Sequence, residues 1–393
     1  MTRSVQHWIL GFLVLLQFSC AELPETESRF FAEDNPVKLS SWSLLHQDGA
    51  RLRIADNAQV YYLASGLFSD YALKLRTVSI PAASSIPVTD TGEMQFPVGT
   101  VISKTFYYAK SEAQALLPDG ELRVVHLTAA EAEIEPTLNL DRVALLETRL
   151  LVRRSDGWHA LPYVWDADQQ DATLRIAGAM LPVSLNKNDQ VRSFAYVAPN
   201  QNQCTGCHTL DHGSKRIEPI GPQAKHLNRL HPGSGENQLS EWHARGWLGE
   251  AAYETAMQVP KTANWEDESV ALEQRARSYL DINCGHCHSK TGPADTSGLF
   301  LDASVTDPLR WGRCKTPVAA GQGTGGNLFS VVPGAPDESI LVYRMASLEP
   351  GAMMPELGRG LVHGEGVDLI RDWIKALPGK CDTTAYMERL QAH

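Results

Sequence analysis

Two segments of this sequence pair cysteines with a histidine at one fixed spacing: Cys204-Thr-Gly-Cys207-His208 and Cys284-Gly-His-Cys287-His288. On a helical turn, residues three apart lie on one side, so both thiols of a segment can reach the two vinyl groups of one porphyrin. The histidine that follows then offers an imidazole nitrogen to the iron from the same face. At this chain's Cys and His frequencies, one such match arises by chance in about 0.4% of sequences. Two are far rarer. A zinc site of four cysteines, or two redox disulfides, would leave both histidines as coincidence. The pattern points to two covalently attached haem c groups. Cys204, Cys207, Cys284 and Cys287 would form the thioethers, and His208 and His288 would be the proximal iron ligands.

The sixth ligand sets what each iron does. Methionine or histidine closes it for electron transfer, whereas an open position admits small molecules. For the second haem the candidate is Met354, in Gly351-Ala352-Met353-Met354-Pro355-Glu356, a proline-containing loop just before the last helical pattern. Met353 and Met345 read as packing residues. After His208 there is no such loop, only His212, His226, His231, His243 and Met257. His212 or Met257 is the candidate there, and a five-coordinate iron stays open as an alternative. His286, inside the second motif, reads as a neighbour of the haem edge.

These residues need elements to hold them. From 38 to 198 the signals are mostly strand-like, and Phe96 to Tyr108 is rich in Val, Ile, Thr, Phe and Tyr. Leu145 to Arg153, the turn Ser155-Asp156-Gly157 and Trp158 to Trp165 read as a hairpin. Helical periods follow at Leu239 to Tyr253, at Leu272, Ala276, Tyr279 and Leu280, and at Val367, Ile370, Ile374 and Leu377. Pro378 and Gly379 stop the last one. The expected fold class is α+β and multidomain: an N-terminal β-rich, sandwich-like domain followed by a mainly α-helical cytochrome c-like haem region. In sequence order this gives a signal over 1–21, an acidic tether over 22–37 and the β-rich domain over 38–198. A first haem segment over 199–265 and a second cytochrome c-like domain over 266–385 complete the chain. The glycine run 321–326 reads as a loop. Asp70, Lys74, Arg76, Glu147 and Arg149, scattered among apolar neighbours, could bind a ligand but read first as a solvated face or as internal ion pairs.

Arg3, the apolar run Trp8 to Phe18 and the small residues Ser19 and Ala21 form a secretory signal. The run is too short to span a bilayer, which takes ~20 residues. Either ordinary cleavage or lipidation at Cys20 fits, so the expected location is the periplasm or, through Cys20, the outer membrane. The remaining cysteines, Cys314 and Cys381, read most simply as a disulfide, with two buried free thiols as the alternative. A net charge of -11 argues against nucleic acid as a partner.

The chain also resembles a family of exported bacterial dihaem c-type cytochromes of unassigned physiological role. The resemblance is carried by Leu67-Phe-Ser-Asp-Tyr71, Phe96-Pro-Val-Gly-Thr-Val101, Glu147-Thr-Arg-Leu-Leu-Val-Arg153, Tyr163-Val-Trp165, Tyr279-Leu-Asp-Ile-Asn-Cys-Gly-His-Cys-His288 and Met353-Met-Pro-Glu-Leu-Gly358. It covers nearly all of the mature chain. Related β-rich modules occur fused to quinoprotein-like sugar dehydrogenase domains, so the resemblance implies electron relay for a periplasmic oxidoreductase. The expected function is therefore electron transfer, with redox proteins as partners and a periplasmic dehydrogenase among the candidates. The alternatives are a dihaem peroxidase-like enzyme and a cytochrome subunit of such a dehydrogenase.

Overall fold

The structure, a computed structural model, describes residues 26–111, 120–128 and 137–384. The signal segment and Cys20 lie outside the described residues. No helix among the described residues is long and apolar enough to cross a membrane.

Twelve strands occupy the first half: β1 (Leu45–Asp48), β2 (Arg51–Ile54), β3 (Ala58–Val60), β4 (Leu73–Ser79), β5 (Val101–Lys110), β6 (Leu122–Val125), β7 (Thr137–Asn139), β8 (Val143–Arg154), β9 (Gly157–Trp165), β10 (Ala172–Leu174), β11 (Ala179–Lys187) and β12 (Gln190–Ala198). β1, β2 and β7 form a small antiparallel sheet. The other nine form one mixed sheet, ordered β10-β9-β8-β5-β6-β11-β12, with β4 also paired to β5 and β3 to β4. All its pairings are antiparallel except β6 with β11. The β8–β9 hairpin closes where Arg154 pairs with Gly157. Gly157 takes a φ of 143°, a turn conformation that costs a residue without a β-carbon little.

The central strands are buried on both sides, so each face of the large sheet needs a cover. One face carries Leu75, Tyr107, Leu150, Val152, Leu161 and Tyr163, packed against Trp42, Leu52 and Leu138 of the small sheet and its flanks. The other carries Val78, Ile102 and Trp158, packed against Ala224, Leu227, Leu239 and Trp242 from the second half of the chain. Residues 26–37 lie along the body: the Arg154 guanidinium donates to the carbonyls of Phe31, Glu33 and Asp34.

The second half departs from the expected fold class. Its helices are α1 (Gln201–His208), α2 (Ala224–Leu227), α3 (Gln238–Ala244), α4 (Glu250–Gln258), α5 (Leu272–Leu280), α6 (Ile340–Ala346) and α7 (Gly364–Ala376). None exceeds 13 residues. Between residues 286 and 339 only two short 3-10 turns before the one at Pro336–Glu338 interrupt irregular chain. The region is thus not a mainly α-helical cytochrome c-like unit. The first half is sheet-rich as expected, but the second half of the chain covers the other face of its large sheet. The physical reason is composition: Gly292, Pro293, Gly298, Pro308, Gly312, Pro317 and the 321–326 glycine run remove helix propensity over a long stretch. The helical periods at 272–280 and 367–377 do form α5 and α7. These two cross closely because Gly366 presents no β-carbon to the Tyr279 ring. The pattern over 239–253 splits into α3 and α4, with Gly246 at a φ of 77° between them.

Cys314 and Cys381 are joined as a disulfide, Cα to Cα 5.2 Å, across 67 residues of sequence.

Candidate haem centres

The first motif lies on α1. Asn200 caps this helix by accepting from the Gln203 amide, and the Gln203 side chain returns the bond to Asn200. The reciprocal pair fixes a short helix that has little propensity of its own. The second motif begins in the π-turn Asp281–Gly285 that continues α5. There Cys284 is enclosed by the apolar cluster of α5, α6 and α7, and burial pushes its thiol up to about 12.

Both motif histidines are placed alike. The His208 Nδ1 faces the Glu218 carbonyl at 2.9 Å, and the His288 Nδ1 faces the Leu299 carbonyl at 3.3 Å. A carbonyl can only accept, so each Nδ1 carries the proton and each Nε2 keeps a free lone pair. This is the arrangement that orients an iron-ligating imidazole. Burial holds both rings near 4, so they are neutral, as ligation requires.

A narrow cleft, with a volume of about 70 Å3, opens beside the first motif. Cys204 and His208 line it, with Leu151, Ala160 and Pro162 from the large sheet, Ile282 from the π-turn, and His226 from α2. Three cations line it too: Arg76 on β4, Lys104 on β5 and Arg149 on β8. Sheet register makes them one rung, Arg76 opposite Lys104 and Lys104 opposite Arg149. On the next rung sits Phe106, with the charges of Lys74, Lys104 and Arg149 at 5.6, 5.4 and 4.4 Å from its ring centroid. Glu147 answers only Arg149, at 2.5 Å, and also accepts from the Tyr196 hydroxyl. Arg76 and Lys104 have no ion-pair or side-chain hydrogen-bond partner among the described residues. Burial and the charges of Arg149 and Arg76 lower Lys104 to about 7.

Cations gathered like this cost several kcal/mol unless an anion joins them. Haem brings two carboxylates, so the residues present fit it: a thiol and a free imidazole nitrogen on one wall, apolar side chains around, and a cation rung for the propionates in which only Arg149 is paired. The four motif cysteines are free and do not converge on one point. No group of three or more His, Cys, Asp or Glu among the described residues could hold a metal ion, which gives the four-cysteine zinc alternative no geometry.

The two motifs touch. The Cys287 Sγ lies 3.7 Å from the carbonyl of Gly206, the residue before Cys207. The nearby Cys287 thiol, with His286 adding to the effect, holds Cys207 well below an ordinary thiol, and Cys287 is pushed up in return. The segments behind them are laced as well: the His212 amide donates to the Thr291 carbonyl at 2.7 Å, and the Thr291 hydroxyl to Leu210 at 3.0 Å.

Met354 is half-buried in a loop that two arginines staple. Arg344 donates from Nε to Ala352 at 2.9 Å and accepts at its own carbonyl from the Met354 amide at 3.0 Å. Arg359 reaches the Ser347 carbonyl at 2.7 Å, and its charge acts on Cys284, as that of Arg344 acts on His288. The loop's far end is fixed from the β-rich half, where the buried Asp70 carboxylate accepts from the Gly360 and Leu361 amides at 2.8 Å. Leu357 of the same loop lies 3.3 Å from where a β-carbon of Gly206 would be.

His212 and Met257 do not line the first cleft. His212 is exposed, 3.9 Å from Asp295, and Met257 is exposed at the end of α4. His226 does line it. Its ring is 2% exposed, and its Nδ1 is buried with no hydrogen-bond partner among the described residues. Such an orphan costs about 1–3 kcal/mol. No sequence pattern set this histidine apart from His212, His231 and His243. The cation rung had one, since Lys74-x-Arg76 and Glu147-x-Arg149 alternate within strands that otherwise read as buried.

Comparison with protein-family models, curated proteins and solved structures finds no match to this chain.

Proposed function

We propose that this chain is a dihaem c-type cytochrome that transfers electrons in an exported compartment. The observation that carries the reading is the contact between the two motifs, with the Cys287 Sγ 3.7 Å from the Gly206 carbonyl beside Cys207. When bound, haem c supplies one-electron redox chemistry. The chain's own residues would do the rest. Cys204 and Cys207 would hold one group and Cys284 and Cys287 the other, with the second cysteines of the two pairs near each other. His208 and His288 would ligate through Nε2, oriented by the Glu218 and Leu299 carbonyls. Arg76, Lys104 and Arg149 would take the propionates of the first group. Met354 is the candidate second ligand at the other iron, in a loop held by Arg344, Arg359 and Asp70. The apolar wall of the first cleft would keep water from the iron and help tune its potential.

An oxidising location is supported by the Cys314–Cys381 disulfide. Electrons would enter and leave through partner redox proteins, a periplasmic dehydrogenase being one candidate. A pyridine haemochrome assay on chain matured with a cytochrome c assembly system tests the reading. Two haems per chain, resistant to acid acetone, are expected. A colourless protein, or pigment that acid acetone strips, would overturn it.

A further inference from the structure

We infer that His226 is the second axial ligand of the first haem, closing that iron between two imidazoles. The inference rests on the dihaem reading and adds what that reading leaves open, the state of the first iron.

Three observations converge on this residue. His226 and His208 line one cleft, yet come from different segments, α2 and α1. The His226 side chain is sealed from solvent, with a ring nitrogen that no protein group satisfies. A packing histidine would normally find a carbonyl or hydroxyl, as His243 does at the Leu248 carbonyl, 2.8 Å away.

The third observation is how firmly α2 is placed. A helix of four residues holds no position by itself. Next to His226, Lys225 forms an ion pair with Asp281 at 2.7 Å, and the Asp281 side chain is only 2% exposed. The other oxygen of Asp281 accepts from the Ala303 amide at 3.0 Å. The Thr262 amide donates to the Lys225 carbonyl at 3.0 Å, and Ala224 and Leu227 are fully buried in the apolar layer under the large sheet. Such anchoring on both sides of one imidazole is what a fixed ligand position requires. Asp281 also opens the π-turn that carries Cys284, so one carboxylate ties the ligand segment of the first haem to the attachment segment of the second.

The test uses the full chain matured to carry haem, with haem counted by pyridine haemochrome and ligation read by EPR and near-infrared magnetic circular dichroism. The wild type is expected to show two low-spin haems, one with the bis-imidazole signature. His226→Ala is expected to keep two haems and turn one of them high-spin, with imidazole in the buffer restoring it. His212→Ala and Met257→Ala are expected to leave both spectra unchanged. Should His226→Ala fail to accumulate, His226→Met keeps a ligating side chain, and the bis-imidazole signature should give way to an imidazole–thioether one. A wild type with one high-spin haem, or a His226 variant with two haems and unaltered spectra, would overturn the assignment and leave the dihaem reading standing. Fewer than two haems in the wild type would remove both.

Discussion

Replacing Lys104 by methionine should act in opposite directions on the haem-free and haem-loaded protein. Lys104 and Arg149 both lie against the Phe106 ring, at 5.4 and 4.4 Å from its centroid, so their charges are at most about 10 Å apart. At an effective dielectric of ~20, that separation gives a repulsion of about 1.7 kcal/mol. Lys74, 5.6 Å from the same ring, contributes a similar repulsion. Glu147 offsets part of it, being already paired to Arg149. In haem-free chain, Lys104→Met should therefore stabilise by roughly 2 kcal/mol. With haem attached, the same lysine would answer a propionate, and removing it should destabilise by about 1.5–3 kcal/mol, the usual worth of a hydrogen bond to a charged group. Urea unfolding of both forms reads the two signs, by tryptophan fluorescence without haem and by the Soret band with it. A shift of the same sign in both forms would refute the reasoning, because the rung would then owe nothing to an anion in the cleft.

The same lysine predicts a pH dependence. Unfolded, Lys104 titrates near 10.5, whereas in the haem-free fold burial and its cationic neighbours bring it to about 7. Between these values the unfolded chain holds the extra proton. Haem-free stability should rise across that window by up to about 1.4 kcal/mol per pH unit, a slope that haem attachment should flatten. Cys314→Ser should cost about 4 kcal/mol by the chain-entropy argument for its 67-residue span, seen as a lower urea midpoint with both haems retained. Asp70→Ala removes the acceptor for the Gly360 and Leu361 amides and should cost about 2–3 kcal/mol. If Met354 ligates the second iron, that variant should also weaken the methionine-to-iron absorption band while leaving the first haem's spectrum unchanged.

The motif residues were legible because the pattern is local: five consecutive positions carry both cysteines and the histidine. The β8–β9 hairpin and helices α5 and α7 were legible for a similar reason, since alternation and 3.6-residue periods survive in the sequence. What escaped depends on long-range register. Arg76, Lys104 and Arg149 come from three strands that only sheet pairing aligns. The expectation of a separate, mainly helical second region failed for the same cause. Strand patterns show which segments are buried on both faces, but not that the second cover is the later half of the chain. His226 sits in a four-residue helix too short to leave a periodic trace, and only burial and an unsatisfied nitrogen single it out.

The Cys287 thiol lies against Gly206, next to Cys207, so the folded chain holds two motif thiols near each other. On the dihaem proposal, both would reach an oxidising compartment before haem is attached. An oxidant arriving first would couple them, and that single crosslink would deprive each motif of one attachment sulfur. Biogenesis would then have to keep this pair reduced until the porphyrins are delivered, while letting Cys314 and Cys381 oxidise in the same chain.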